Sequence, residues 1–341
     1  MRAADVLTLA PAGLYCPAGD FFIDPTRACP RALITHGHSD HARAGHGAVL
    51  ATRETLALMA LRHGEKFTGA RQAAIPGARL RVGDATVSFH PAGHVLGSAQ
   101  ILVEVNGFRV VVSGDYKRAR DPTCAAFEPV RCDAFITEAT FGLPVFRQAD
   151  ATREIARLLD SLRVFPDRAH LVGAYSLGKA QRVMALLREA GWDRPIRLHG
   201  AMEKITAFYQ SEGVRLGETR AIGANDPASP GGEIVICPPA ATRDAPARDF
   251  PDPVVAFASG WARTRGRARQ SGAHLPLVIS DHADWDELRA TVIETGCEEL
   301  WVTHGAEAAL VHWATRRGLR ARPLRLMGYG EEEDAGMDPA A

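Results

Sequence analysis

Excess charge of either sign is missing from this 341-residue chain. Its 40 Lys and Arg offset 40 Asp and Glu, so the overall balance announces no polyanionic partner, and a surface for one has to be a local patch. Cysteine is sparse and scattered. Cys16, Cys29, Cys124, Cys132, Cys237 and Cys297 form no Cys-x-x-Cys pair, which excludes a zinc ribbon, argues against a disulfide framework and fits reduced thiols. Long apolar runs are absent as well. Asp5 and Thr8 interrupt the N-terminal stretch and no stretch reaches membrane-spanning length, so neither secretion nor insertion is expected and the predicted location is cytoplasmic. Internal repeats do not stand out. The length suggests about two domains.

Histidine, by contrast, is concentrated. Thr35-His36-Gly37-His38-Ser39-Asp40-His41 follows the apolar run Ala32-Leu33-Ile34, which reads as a strand. Side chains two apart on an extended segment share a face, so His36 and His38 can point together. If the chain then enters a helix, Asp40 and His41 sit at its start and can face a second ion. Two nitrogens for one metal and an oxygen with a nitrogen for another suit zinc or a similar borderline ion.

Periodicity divides the chain. From residue 1 to about 140 it is strand-rich, with Phe21–Asp24, Ala48–Ala51, Ala78–Val82 and Ala85–Phe89 as strands, and a helix over Glu54–His63. Asn106-Gly107, between Ile101–Val105 and Phe108–Val112, is a two-residue hairpin signal, and antiparallel pairing is expected to dominate. Near residue 145 strands and helices begin to alternate: His170–Ala174, Lys179–Ala190, Pro195–Leu198, Ala201–Glu212, Glu233–Cys237. That rhythm predicts a parallel, Rossmann-like module. Pro-, Gly- and Ala-rich segments lie at 223–232 and 238–253. After about 272 the chain returns to the first domain, with strands at Leu275–Ile279 and Glu299–Thr303 and a capping-box helix start at Asp284-x-x-Glu287.

Two further ligand candidates sit at strand ends, His94 in Gly93-His94-Val-Leu-Gly97-Ser98 and Asp115 in Ser113-Gly114-Asp115. In this order after the histidine run, HGHSDH, GHVLGS and SGD resemble the motif series of the metallo-β-lactamase superfamily, and Asp24 matches its early structural aspartate. Thr137-Glu138-Ala-Thr-Phe-Gly142, Ile279-Ser-Asp-His282-Ala-Asp284 and Val302-Thr-His304-Gly305 resemble the additional motifs of its β-CASP branch. More narrowly, Ser113–Arg118, Phe257–Trp261 and Ser280–Trp285 look like phrases of the bacterial ligase-associated DNA exonucleases.

The resemblance implies an α/β fold: an αβ/βα four-layer sandwich over 1–144 and 273–330, a Rossmann-like β-CASP domain inserted at 145–272, and an acidic tail at 331–341. It implies two divalent metal ions, Zn2+ or alternatively Mn2+, with His36, His38 and His94 on one, Asp40, His41 and His304 on the other, and Asp115 bridging. Two such cations can hold a hydroxide and stabilise both oxygens of an in-line displacement. Asp40, His282 and Glu138 form the implied catalytic set, His282 touching the scissile phosphate or protonating the leaving oxygen and Glu138 orienting it. The implied function is DNA hydrolysis, as an exonuclease in DNA repair, with DNA as partner alongside an ATP-dependent DNA ligase and a helicase. The alternatives are a β-CASP ribonuclease and a catalytically inactive metal-binding scaffold.

Substrate contacts are expected from Ser98, Tyr116 and Lys117, and from Arg263, Arg265, Arg267 and Arg269, whose period of two would align them along a phosphate backbone if the segment is extended. Arg316, Arg317, Arg320 and Arg322 read as helix-end charges. Gly173-Ala-Tyr-Ser-Leu-Gly178-Lys179-Ala180 nearly matches a P-loop, but Ala180 replaces the metal-binding hydroxyl and nucleotide hydrolysis is not expected. His46 reads as structural.

Overall fold

A computed structural model describes residues 1–147, 150–222, 232–242, 250–264, 266 and 272–324. The chain is a mixed α/β protein built on three sheets, in two compact units. The first unit holds Met1–Arg147 and the described chain from His282 onward, and the second lies within Gln148–Asp281.

In the first unit, one sheet takes its strands in chain order: Thr8–Ala10, Gly13–Cys16, Phe21–Ile23, Arg31–Leu33, His46–Thr52 and Thr68–Ala74. The second is ordered Arg320–Pro323, Glu299–Gly305, Ala134–Ala139, Phe108–Val112, Ala99–Val105, Ala85–Pro91, Leu80–Val82. Val87, Phe89, Ile101, Val103, Val110 and Ile136 from the second sheet share a core with Leu14, Phe21, Ile23, Leu33 and Leu50 from the first. Alternation decides this, since Leu102, Val111 and Phe135 point the other way and pack with Leu288, Val292 and Leu310 of the helices Trp285–Thr295 and Glu307–Arg316. On the outer face of the first sheet, Ala32, Ile34, Val49 and Ala51 meet Leu56 and Met59 of the helix Arg53–His63.

The Asn106-Gly107 hairpin forms as its sequence indicates: both residues have positive φ, 49° and 81°, and Val105 faces Phe108. Within residues 1–140 antiparallel pairs are five of nine, so they lead only narrowly. From Phe21 to Ala74 the first sheet is parallel, and Phe108–Val112, Ala134–Ala139 and Glu299–Gly305 also run parallel. The mixture follows from long connections between strands, which carry the ligand loops.

The third sheet, in the second unit, is parallel throughout: Thr219–Ala221, Ile196–Leu198, Ile234–Cys237, His170–Gly173, Val254–Ala258, Leu275–Leu277. Helices Ala151–Val164, Lys179–Glu189 and Gly200–Ser211 alternate with its strands. Arg265, Arg267, Arg269 and the acidic tail lie outside the described residues. Arg263 is exposed but not on an extended segment. Ser259 accepts from Trp261 N at 3.2 Å and starts a 3-10 turn over Gly260–Arg263, which removes the period-two alignment at its first member.

Among the described residues, no helix is long and apolar enough to cross a membrane.

Candidate metal centre

The centre is built at loop ends of the first unit. After Arg31–Leu33 the chain makes a single turn rather than entering a helix: Ala42 N donates to His38 O at 2.7 Å and the pattern stops there. That turn folds His36, His38 and His41 back over the strand ends. His94 comes from the turn between Ala85–Pro91 and Ala99–Val105, where Ser98 Oγ accepts from the backbone N–H groups of His94 and Val95 at 3.1 and 3.2 Å. Ser98, expected at the substrate, thus holds the His94 turn. Asp115 follows Phe108–Val112 through Gly114, where a Cβ would lie 2.7 Å from Thr35, so only glycine lets this turn approach the histidine loop so closely.

His304 arrives last, at a bulge. Glu138 pairs with Thr303 and Ala139 with Gly305, leaving His304 as the extra residue, with φ of 55°. A bulge re-aims a side chain that strand alternation would send elsewhere. His304 Nδ1 lies 3.5 Å from Asp115 Oδ1.

Two groups result, sharing Asp115. His36, His38, His94 and Asp115 have candidate ligand atoms within 4.8 Å of one another, as do His41, Asp115 and His304. His38 Nδ1 faces His36 Nε2 at 3.1 Å and His94 Nε2 at 3.0 Å. Tetrahedral ligation with metal–nitrogen bonds of about 2.0–2.1 Å spaces the nitrogens at ~3.3 Å, so the observed spacing fits an ion at their centre. Asp40 joins the second group at 3.5 Å from His41 Nε2.

Asp24 organises both groups. Its oxygens accept from Thr35 N at 2.8 Å, Thr35 Oγ1 at 2.6 Å and His41 Nδ1 at 2.8 Å. Because the Thr35 hydroxyl proton goes to Asp24, Thr35 Oγ1 can only accept from His36 Nδ1, 3.0 Å away. A proton on Nδ1 leaves the Nε2 lone pair of His36 for a metal. The same carboxylate places a proton on His41 Nδ1 and turns its Nε2 toward Asp40 and Asp115.

The electrostatics favour bound cations. Burial, reinforced by His41, holds the His36 imidazolium well below its ordinary pKa, so its nitrogen is a neutral donor. Burial opposes charge on His41 too, but Asp40, Asp115 and Asp24 outweigh it and raise that imidazole to about 10. The Asp115 carboxyl would be raised by burial, yet His41, His304 and His36 keep it well below the usual carboxylate range. Positive charge is stabilised where His41 sits, whether a proton or a metal supplies it.

Beside the shared aspartate stands a second constellation. His282 Nδ1 donates to Glu138, 3.0 Å from Oε2 and 3.2 Å from Oε1, and both residues are buried. Tyr116 N fixes Oε1 at 2.7 Å, and Asp115, Glu138 and His282 again bring ligand-type atoms within 4.8 Å. The His282 ring is tilted against His94, with centroids 4.7 Å apart. The helix beginning at Trp285 is fixed by the expected capping box, with Asp284 Oδ1 accepting from Glu287 N at 2.9 Å and Glu287 Oε2 from Asp284 N at 3.2 Å.

Tyr116 is withdrawn from the substrate set. Its side chain is fully buried and its ring stacks on Phe127, so it offers a substrate no surface. Lys117 is buried as well. His46 opens the strand His46–Thr52 with Nδ1 3.4 Å from Cys29 Sγ. In the second unit the P-loop-like turn does not present its lysine. Lys179 is buried, with Nζ 2.5 Å from Asp281 Oδ1, while Arg182 donates to Ser280 O.

No family model matches the chain. Relatives do. The chain is 30% identical over 315 residues, 91% of its length, to part of a protein named "Probable DNA ligase" from Opitutus terrae. It is 31% identical over 123 residues to cleavage and polyadenylation specificity factor 73 of Drosophila melanogaster, and 33% identical over 127 residues to endoribonuclease YSH1 of Saccharomyces cerevisiae, 35% and 36% of this chain. With these relatives and its motif series the chain is similar to nucleases of the β-CASP branch of the metallo-β-lactamase superfamily. It spans only 30%, 17% and 16% of those three proteins. Its fold is similar to the crystal structure of a protein of unknown function from Enterococcus faecalis V583, at a TM-score of 0.54 and 12% identity over 80% of this chain and 74% of that one. What no motif indicated are the loop-holding contacts of Arg62, Thr52 and Thr55, since an arginine at a helix end and a threonine at its start are ordinary.

Proposed function

We propose that this chain is a two-metal phosphodiesterase that hydrolyses DNA, acting as an exonuclease in repair. The observation that carries the reading is the pair of His/Asp groups joined through Asp115, with the buried His282–Glu138 pair alongside. His36, His38 and His94 would hold one ion and Asp40, His41 and His304 the other, both touching Asp115. Zn2+ suits the nitrogen-rich donors, and Mn2+ the three carboxylate-containing contacts. When bound, two such ions polarise a phosphoryl oxygen and lower the pKa of water.

The protein's own groups would do the rest. Glu138 keeps the His282 proton on Nδ1, so Nε2 is the atom that exchanges a proton with the leaving oxygen or steadies the phosphate. Asp40, less enclosed than His41, is placed to accept a proton from the attacking water. The framework we propose is the αβ/βα four-layer sandwich, supported by helix-covered outer faces on both sheets of the first unit, with the parallel-sheet unit as an inserted β-CASP domain that begins near 145 and, because Leu275–Leu277 is one of its strands, ends near 281 rather than at the expected 272.

DNA is favoured because a chain of this kind forms part of a protein named for DNA ligation, and trimming an end before sealing is the reaction class a ligase most directly needs. A ligase and a helicase are the partners in this reading, in the cytoplasm. A ribonuclease is the second reading, carried by the two RNA-processing relatives. End-labelled single- and double-stranded DNA and matched RNA, tested with Zn2+ and Mn2+, separate the two. Processive loss of label from DNA ends, abolished by His36→Ala, is expected. Preferential RNA cleavage overturns the DNA assignment, and unchanged DNA cleavage by His36→Ala overturns the metal mechanism.

A further inference from the structure

The helix Arg53–His63 touches the ligand loops at both of its ends. At its start, Thr52 Oγ1 and Thr55 Oγ1 lie 2.6 and 3.1 Å from Gly97 O, in the turn that carries His94. The fit there is tight. Gly97 has φ of 79°, and a Cβ on it would come within 2.5 Å of Glu54 Cβ and 2.9 Å of Thr55 N. At its other end, Arg62 donates to Gly37 O at 2.7 Å, the carbonyl of the Gly37–His38 peptide. His63 Nε2 donates to Ala42 O at 3.0 Å, just after His41.

Basic residues in a last helical turn ordinarily complement the helix dipole. Here two of them also donate to carbonyls outside their own helix, both in the histidine loop. The helix itself is fixed to the sheet by Leu56 and Met59, packed with Ala42, Ile34 and Val49. One rigid element, about 16 Å long at 1.5 Å per residue, therefore holds two loops that have no regular structure of their own.

We propose that Arg53–His63 is a brace that sets the distance between His94 and the His36–His38 pair, and that Arg62 is a positioning residue for the three-histidine pocket. His36 and His38 flank Gly37, so rotating that peptide turns both imidazoles relative to each other. Arg62 fixes the peptide through its carbonyl, while Thr52 and Thr55 fix the opposite loop. The chemical class affected is the divalent cation of this pocket, through the geometry of its three nitrogens.

The test titrates the metal-free full chain with Zn2+ against a chromophoric chelator and records the visible ligand-field absorption of the Co2+-loaded form. Arg62→Met keeps the side-chain length and removes the donor. It is expected to weaken the Zn2+ affinity of the pocket by about 10–100-fold, the range typical of groups that orient metal ligands, and to change the Co2+ absorption. Arg62→Lys retains a donor and recovers part of the affinity. Thr55→Val weakens it by a smaller factor, because Thr52 still reaches Gly97 O. Arg53→Met, on the exposed face of the same helix, leaves both readouts unchanged. Wild-type affinity and absorption in Arg62→Met overturn the proposal. Should that variant fail to fold by circular dichroism, Thr55→Val decides, and wild-type binding there overturns it equally. The inference rests on the metal-centre reading. Absence of Zn2+ binding by the unaltered chain sinks that reading, whereas unaltered binding in the variants sinks the brace alone.

Discussion

Two loops of this chain look like ligand-binding motifs in sequence, and each follows a buried parallel strand. The loop after Arg31–Leu33 carries His36, His38, Asp40 and His41, and the loop after His170–Gly173 carries Gly178 and Lys179. In the first, ring nitrogens within the loop lie 3.1 Å apart and the His94 turn brings another to 3.0 Å, while an outlying carboxylate, Asp24, fixes which nitrogens keep their lone pairs. In the second, the lysine turns inward and meets Asp281, so its charge is neutralised within its own unit. The contrast teaches that ligand-type residues at the right spacing become a site only when their unshared electrons are left pointing at common space. Spacing alone cannot distinguish the two cases. Partners far along the chain do.

The contrast can be broken at several places, with effects of decreasing size. Asp115→Ala removes the one residue common to both metal groups. Nuclease activity is expected to fall to background and bound metal, measured by mass spectrometry of the purified protein, to drop at both positions. Retention of two ions per chain would contradict the sharing. His282→Ala should lower kcat by about 10²–10⁴-fold, the usual contribution of a positioned acid or base, while metal content stays unchanged. Loss of metal in that variant would make His282 a ligand instead. Lys179→Met removes the buried cation that faces the Asp281 carboxylate at 2.5 Å, and breaking such a buried pair costs about 3–5 kcal/mol in comparable cases, seen as a lowered unfolding midpoint. Mg-ATP should not shift the melting temperature of the unaltered chain, and a clear shift would restore the P-loop reading. The smallest effect is at Asp284→Ala, where loss of the helix cap should cost about 1 kcal/mol, readable in denaturant unfolding.

Much of the first unit was legible because burial imposes a rhythm. Ala85–Phe89 alternates apolar and polar residues, and Asn106-Gly107 supplies the turn between Ala99–Val105 and Phe108–Val112. Thr68–Ala74 was not legible. It is an edge strand of the first sheet whose middle residues are exposed on both faces, so no alternation marks it. Val254–Ala258 escaped for another reason, its short apolar run sitting beside a Pro- and Ala-rich stretch that reads as loop. At the site, His36, His38 and His41 announce themselves by spacing, but His304 reaches Asp115 through a bulge that periodicity cannot foresee. Arg263 illustrates the opposite case, in which a regular spacing suggested an extended chain and the residue instead closes a 3-10 turn.

The place of His304 in the second sheet also bears on biosynthesis. Its strand, Glu299–Gly305, lies between Ala134–Ala139 and Arg320–Pro323 and follows the whole second unit in sequence. While the ribosome is still translating that unit, His36, His38, His94 and Asp115 have already been made, yet Ala134–Ala139 lacks one of its two neighbours and the second ligand group lacks its last imidazole. In the two-metal reading proposed above, the first cation position is therefore complete in a nascent chain long before the second. The proposed hydrolytic chemistry would be withheld until nearly all of the described protein has been synthesised.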